Sequence, residues 1–253
     1  MRVALFATCV NDAVLPRAAI ATVRLLERLG VAVDFPEQQS CCGQPQYNTG
    51  YRRMTEALVR RMARVFEGYD YLVAPSGSCV AMVRENYPRV GAKARAEGRG
   101  EELAVAAASL APRVLELTEF LVDVLGATDV GAYFPHSVTY HPSCHGLRVL
   151  GLGARPLALL RAVRGLELVE LPGAEECCGF GGTFAVKNPD VSAAMGADKV
   201  AAARSTGAEV LCGADNSCLL HLDGMMRREK VPLRAVHLAE ILASTEAEPW
   251  SVA

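Results

Sequence analysis

A chain of 253 residues, 51% of them apolar, can bury one large core or two smaller ones. Its net charge of −2 excludes a general affinity for nucleic acid, which needs a basic surface, and no apolar run is long enough to span a bilayer. Nine cysteines without an export signal point to the cytoplasm, where they would be ligands, redox groups or buried small residues rather than structural disulfides.

Residues 2–7 form a short apolar run, expected as a buried first strand. Asn11, Asp12 and Pro16 follow too soon for a signal peptide. Residues 15–29 carry helical spacing at Ala18, Ala21, Leu25 and Leu29, and Gly30 is a stop signal. Residues 31–35 read as a second strand. Residues 51–66 read as an amphipathic helix with Arg52, Arg53, Arg60, Arg61 and Arg64 on its outer face, either solvated or docking an acidic partner. Residues 69–74 are a third strand, with a helix beginning near Cys79. Segment 91–100, with three glycines among charged residues, predicts an exposed loop, and 101–126 a long apolar helical stretch with a break at Pro112. Further strands are expected at 137–140, 166–171 and 209–212. Helices are expected at 155–163, 190–205 and from near Cys218, followed by a frayed tail at 243–253. Strands alternating with helices imply an α/β fold with parallel sheets covered on both faces.

The chain is an internal duplication. Cys41-Cys42-Gly43 recurs as Cys177-Cys178-Gly179, with Cys9 matching Cys144 and Cys79 matching Cys218 at nearly the same offset. Leu117-Thr118-Glu119-Phe120-Leu121 likewise matches Leu238-Ala239-Glu240-Ile241-Leu242. One half spans residues 1–130 and the other 131–253, predicting two pseudo-symmetric Rossmann-like domains whose cysteine-bearing edges face a central cleft. In each half the cysteines follow a predicted strand, at the carboxyl edge where open parallel sheets bind ligands.

Four thiolates suit zinc or an iron–sulfur cluster. Adjacent cysteines diverge, which is awkward for a single small ion but lets two irons of a larger cluster be reached. Gly43 and Gly179 would allow the backbone close to such a cluster, and helix N-termini near Cys79 and Cys218 would favour thiolates. Cluster binding is therefore the favoured reading, with zinc, redox thiols or scattered core cysteines as the alternatives.

The ordered double pattern resembles the cysteine-rich "CCG" family, and within it the lactate-utilization protein A group. It runs Cys9 … Cys41-Cys42-Gly43 … Pro75-Ser76-Gly77-Ser78-Cys79, then Tyr140-His141-Pro142-Ser143-Cys144-His145-Gly146 … Cys177-Cys178-Gly179-Phe180-Gly181-Gly182 … Asp215-Asn216-Ser217-Cys218, covering essentially the whole chain. The iron–sulfur subunit of glycolate oxidase and the corresponding cysteine-rich component of heterodisulfide reductase are related. The resemblance implies an electron-transfer subunit, with one or two 4Fe–4S clusters per chain, working with companion iron–sulfur proteins that oxidise L-lactate to pyruvate. A heterodisulfide-reductase-like thiol–disulfide enzyme and a zinc scaffold are the alternatives. The fuller family motif ends Cys-x-x-Cys. Here Ser76 and Asp215 replace the first of those cysteines, leaving four cysteines per half, too few for a non-cubane cluster and enough for an ordinary one. Helix capping is the expected role of Ser76 and Asp215, with an oxygen ligand from Asp215 as the alternative.

The candidate ligands are thus Cys9, Cys41, Cys42 and Cys79 in one half and Cys144, Cys177, Cys178 and Cys218 in the other. His141 and His145 flank Cys144. They are the candidates for proton relay or cluster tuning, against packing or backbone bonding. Cys212 matches Val73 and reads as a buried strand residue, with ligation as the alternative; His136, His221 and His237 have no identifiable role. No flavin or nicotinamide motif is present, so the chain is not expected to turn over lactate alone.

Overall fold

A computed structural model of the protein describes residues 1–250. Among the described residues, eight short strands form two separate sheets. The first contains β1 (Val3–Leu5), β2 (Val33–Asp34), β3 (Tyr71–Ala74) and β4 (Val114–Glu116); the second contains β5 (Ser137–His141), β6 (Glu167–Val169), β7 (Val210–Gly213) and β8 (Arg234–His237). The spatial orders are β2-β1-β3-β4 and β6-β5-β7-β8, and every pairing is parallel. The same order in both sheets is the duplication made visible, as the repeated motifs predict. Helices connect successive strands, as parallel pairing requires.

The helix Arg17–Arg28 forms because Ala18, Ala21, Thr22, Leu25 and Leu26 repeat at helical spacing and are buried on one face. Gly30, at φ 79°, ends it. That face packs into an apolar core shared by both sheets, where Leu25 and Phe120 meet Phe134, Val138 and Ile241. Each such side chain contributes about 1.5–3 kcal/mol. The Arg28 guanidinium adds a polar tie, donating to the backbone oxygens of Val130 (3.1 Å), Leu242 (2.6 Å) and Ala243 (2.7 Å). Each half also has its own core on the other sheet face: Met62, Phe66 and Tyr87 in the first, Leu211, Leu222 and Met226 in the second.

Three expectations need correction. Segment 91–100 is mostly helical, within Tyr87–Ala96. A Cβ on Gly91 would lie 2.7 Å from Ala104 Cα, so this glycine permits close helix packing instead of breaking the helix. The stretch 101–126 is not one helix: it runs through Glu101–Leu110, a 3₁₀ turn at Ala111–Arg113, β4, and then helical residues 117–124. Each half therefore has a fourth strand that the apolar periodicity hides. The tail is not frayed as far as Trp250. Its backbone N–H donates to Ser244 Oγ (2.9 Å), and its ring packs 5.4 Å from that of Phe134. Residues 251–253 of the expected tail lie outside the described residues.

Candidate metal centre

All eight motif cysteines line one cavity of about 390 Å³ between the carboxyl edges of the two sheets. Cys9 opens the helix Cys9–Ala13 after β1, Cys41 and Cys42 lie in the loop after β2, and Cys79 is in the helix Gly77–Ala81 after β3. Cys144 precedes the helical turn His145–Leu150, Cys177 and Cys178 follow β6, and Cys218 is in the helix Asn216–Arg228. Thr8, just before Cys9, is buried with φ 70°, a costly conformation for a β-branched residue that aims Cys9 at the cavity.

The thiols form two matched hydrogen-bonded groups. Cys9 Sγ lies 3.5 Å from Cys41 Sγ, and the Gly43 N–H donates to Cys41 Sγ at 3.4 Å. In the second half the Gly179 N–H donates to Cys177 Sγ, also at 3.4 Å. Hydrogen bonds from Cys42 and Cys9 bring Cys41 down to about 3, and those from Cys144 and Cys178 bring Cys177 down to about 2. The donors move the opposite way. Cys9 is raised by its bond to Cys41 and by burial, Cys144 by its bond to Cys177 and by burial. Cys42 and Cys178 are raised by their bonds to the thiols on either side and by burial. The first cysteine of each pair is thus shifted toward the thiolate, the form that binds metal.

The two glycines shape the loops around these thiols. Gly43 (φ +84°) and Gly179 (φ +90°) take the left-handed turn that folds their N–H back onto the preceding thiolate. Ser76 Oγ caps its helix by accepting from the Cys79 N–H at 3.4 Å, and Asp215 Oδ1 accepts from the Ser217 N–H at 3.1 Å, so both act as helix caps. Cys212 is fully buried in β7 within the shared core and is absent from the cavity wall, as its match to Val73 predicts.

The two flanking histidines part company. His145 lines the cavity, its Nε2 3.0 Å from Gln44 Nε2 of the other half. His141 is 1% exposed behind the cysteines, neither ring nitrogen has a hydrogen-bond partner, and burial brings it down to about 4. One of its ring nitrogens and the sulfurs of Cys178 and Cys218 lie within 4.8 Å of one another. The other histidines are engaged elsewhere: His136 with Glu209, His221 Nε2 with Ser192 O at 3.3 Å, and His237 as a helix cap. On the basic helix Arg52–Val65 all five arginines are exposed, with Arg60 paired to Glu56 and Arg61 donating to Gln38 O. Across the cavity, Asn216 Nδ2 donates to Asn11 Oδ1 at 2.8 Å, and Asn11 Nδ2 to Pro75 O at 3.1 Å. Among the described lining residues there is no Lys or Arg. Sulfur-rich donors, two of them shifted toward the thiolate, and an orphaned imidazole make this a fit for a metal ion or metal–sulfur group.

A family model for the CCG cysteine-rich domain matches residues 3–84 and again 138–223, the two segments that carry the cysteines. "Lactate utilization protein A" of Oceanobacillus iheyensis is 47% identical over 242 residues, covering 96% of each chain. The protein of the same name from Geobacillus sp. strain WCH70 is 48% identical over 244 residues, covering 96% of this chain and all of that one. Among solved structures, a hypothetical protein from Helicobacter pylori superposes with a TM-score of 0.56 at 12% identity over 95% of this chain; the chain spans about half that protein's length (48%), and the likeness is one of fold. No described helix is long and apolar enough to cross a membrane. With both halves matched and relatives aligned nearly end to end, this chain belongs to the CCG cysteine-rich domain family and, within it, to the lactate utilization protein A family.

Proposed function

We propose that this chain is an iron–sulfur, electron-carrying subunit of a cytoplasmic system that oxidises L-lactate to pyruvate with companion iron–sulfur proteins. The observation that carries the reading is the convergence of eight thiols, four from each half, on one cavity. The relatives' name supplies lactate. Residues 1–130 and 131–253 are the two ligand-bearing domains in this reading. Cys9, Cys41, Cys42 and Cys79 hold one group, and Cys144, Cys177, Cys178 and Cys218 the other. A bound 4Fe–4S cluster supplies single-electron transfer. Cys41 and Cys177, whose pKa values are lowered by hydrogen bonds from neighbouring thiols, are suited to bind iron as thiolates.

Anaerobic purification followed by iron and sulfide analysis and electron paramagnetic resonance tests the reading. Stoichiometric iron and sulfide, with signals that lactate reduces only when partner proteins are present, are expected. Lactate turnover by the isolated chain with a dye as acceptor would overturn it. A zinc site is the second reading, favoured by the 4.8 Å grouping of His141, Cys178 and Cys218, which suits one tetrahedral ion. Stoichiometric zinc in the anaerobic native protein would select it.

A further inference from the structure

The two halves are not chemically equal. His141 ends β5 three residues before Cys144; the matching position, three residues before Cys9, is Phe6. Phe6 is fully buried and packs edge-on against Phe66, 5.8 Å between centroids. An apolar ring therefore satisfies this position in the first half. His141 fills it at equal burial, with both ring nitrogens unpartnered. A buried polar atom left unpaired costs about 1–3 kcal/mol. Packing alone gives no reason to accept that cost when the other half shows the apolar solution. The ring shares its surroundings with Cys178 and Cys218, on the loop after β6 and the helix after β7.

We propose that His141 is a nitrogen ligand of the metal group held by the second half, so that the two halves carry chemically different sites. This rests on the reading that the cysteines hold an iron–sulfur group. Ligation uses the lone pair of a neutral imidazole, so no proton leaves the ring and no electron is transferred. The second half then offers five donors, and one of its thiols stays outside a set of four terminal ligands. A neutral imidazole in place of a thiolate lowers the negative charge around the iron, which raises the reduction potential of that site. The second half is then the better electron acceptor of the two, and electrons settle there before they settle in the first half.

The test uses the full-length chain, purified anaerobically from cells fed ¹⁵N-histidine or unlabelled histidine and reduced for pulsed electron paramagnetic resonance. A nitrogen coupling that changes with the label is expected in the wild type and in His145→Gln, and absent in His141→Phe, which installs the first half's own residue. His141→Phe should also lower the potential of one of two titrating sites and lose iron to a chelator several-fold faster. Its metal-free form should melt no lower than the wild type, because two unpaired polar atoms have been removed. Should His141→Phe fail to fold, the label effect in wild type and its survival in His145→Gln decide the matter. Iron bound without any histidine-nitrogen coupling, or a coupling that persists in His141→Phe, overturns the assignment. A chain that binds no iron overturns the underlying reading instead. The assignment is then decided with cobalt(II) added to the metal-free chain: ligand-field bands that shift in His141→Phe support it, and bands unchanged by the substitution overturn it.

Discussion

Ser76 and Asp215 stand three residues before Cys79 and Cys218, at equivalent places in the two halves, and they meet. Ser76 Oγ donates to Asp215 Oδ2 at 3.3 Å, and the two residues form an isolated antiparallel bridge. The same Oδ2 accepts from the Ser78 N–H at 2.8 Å, while Oδ1 accepts from the Ser217 N–H at 3.1 Å. One buried carboxylate thereby caps the first turn of two helices, one in each half, each carrying a candidate ligand.

Asp215→Ala removes both caps and leaves buried N–H groups unpaired, for an expected loss of roughly 2–4 kcal/mol in denaturant unfolding of the metal-free protein. Asp215→Asn keeps one carbonyl oxygen and can cap one helix only, so it should fall between wild type and Asp215→Ala. Equal stability of Asp215→Ala and wild type would show that the shared cap does not hold the halves together.

Gly43 and Gly179 make the same turn, yet their surroundings differ. A Cβ on Gly179 would lie 2.5 Å from the backbone oxygen of Ser192 and 2.9 Å from Met195 Cβ. On Gly43 it would meet Leu58 Cδ1 at 3.0 Å, the far end of a side chain that can turn away. Both alanine variants carry the cost of a left-handed alanine, about 1 kcal/mol. Gly179→Ala should cost at least twice as much as Gly43→Ala, because a helix backbone must move. Thermal unfolding of the two variants side by side reads the difference, and equal shifts would contradict it.

Cys212→Val places in β7 the residue that β3 carries at Val73, in the same shared core. The change conserves approximate volume and apolarity, so stability should stay within about 1.5 kcal/mol of wild type. Iron content should be unchanged. By contrast, Cys178→Ser should weaken iron retention in the second half alone. Loss of iron in Cys212→Val would place this ninth thiol among the ligands.

The placement of the eight cysteines was legible because each follows a strand of a duplicated parallel sheet, and topology alone brings such positions to one edge. The fourth strand of each half was not. Val114–Glu116 and Arg234–His237 are only three and four residues long and run directly into apolar helical segments, so the apolar pattern never changes period. Gly91 misled for a related reason, since its missing side chain serves a helix-to-helix approach that exists only in the folded chain. Capping by Ser76 and Asp215 was readable from residue type. Their contact with each other was not, because it depends on how the halves face. His141 stood out only as a neighbour of Cys144; its lack of partners is a property of packing.

The ends of β4 and β8 carry a second matched pair, Glu116 and His237, each buried and each capping the helix that follows. Burial moves them in opposite directions: Glu116 rises to about 7, and His237 falls to about 4. Burial thus disfavours the charged form of each. A carboxyl raised on folding favours stability at low pH, and that contribution is lost as pH rises from about 4.5 to 7. A histidine lowered on folding favours stability at high pH, and that contribution is lost as pH falls from about 6.5 to 4. Each amounts to roughly 3 kcal/mol across its window. Between about pH 4.5 and 6.5 the two slopes oppose each other, the Glu116 side being set also by Thr118 and Glu119, and the His237 side by Asp215. Glu116→Gln should therefore stabilise the metal-free chain at pH 8 by a few kcal/mol, leave it nearly unchanged at pH 4.5, and make stability climb more steeply with pH in between. His237→Asn should do the reverse, flattening that climb. The thiols are common to all three proteins and cancel in the comparison. Denaturant unfolding at half-unit steps from pH 4.5 to 8 measures both slopes, and parallel curves for the two variants and the wild type would mean that neither residue is held neutral by burial.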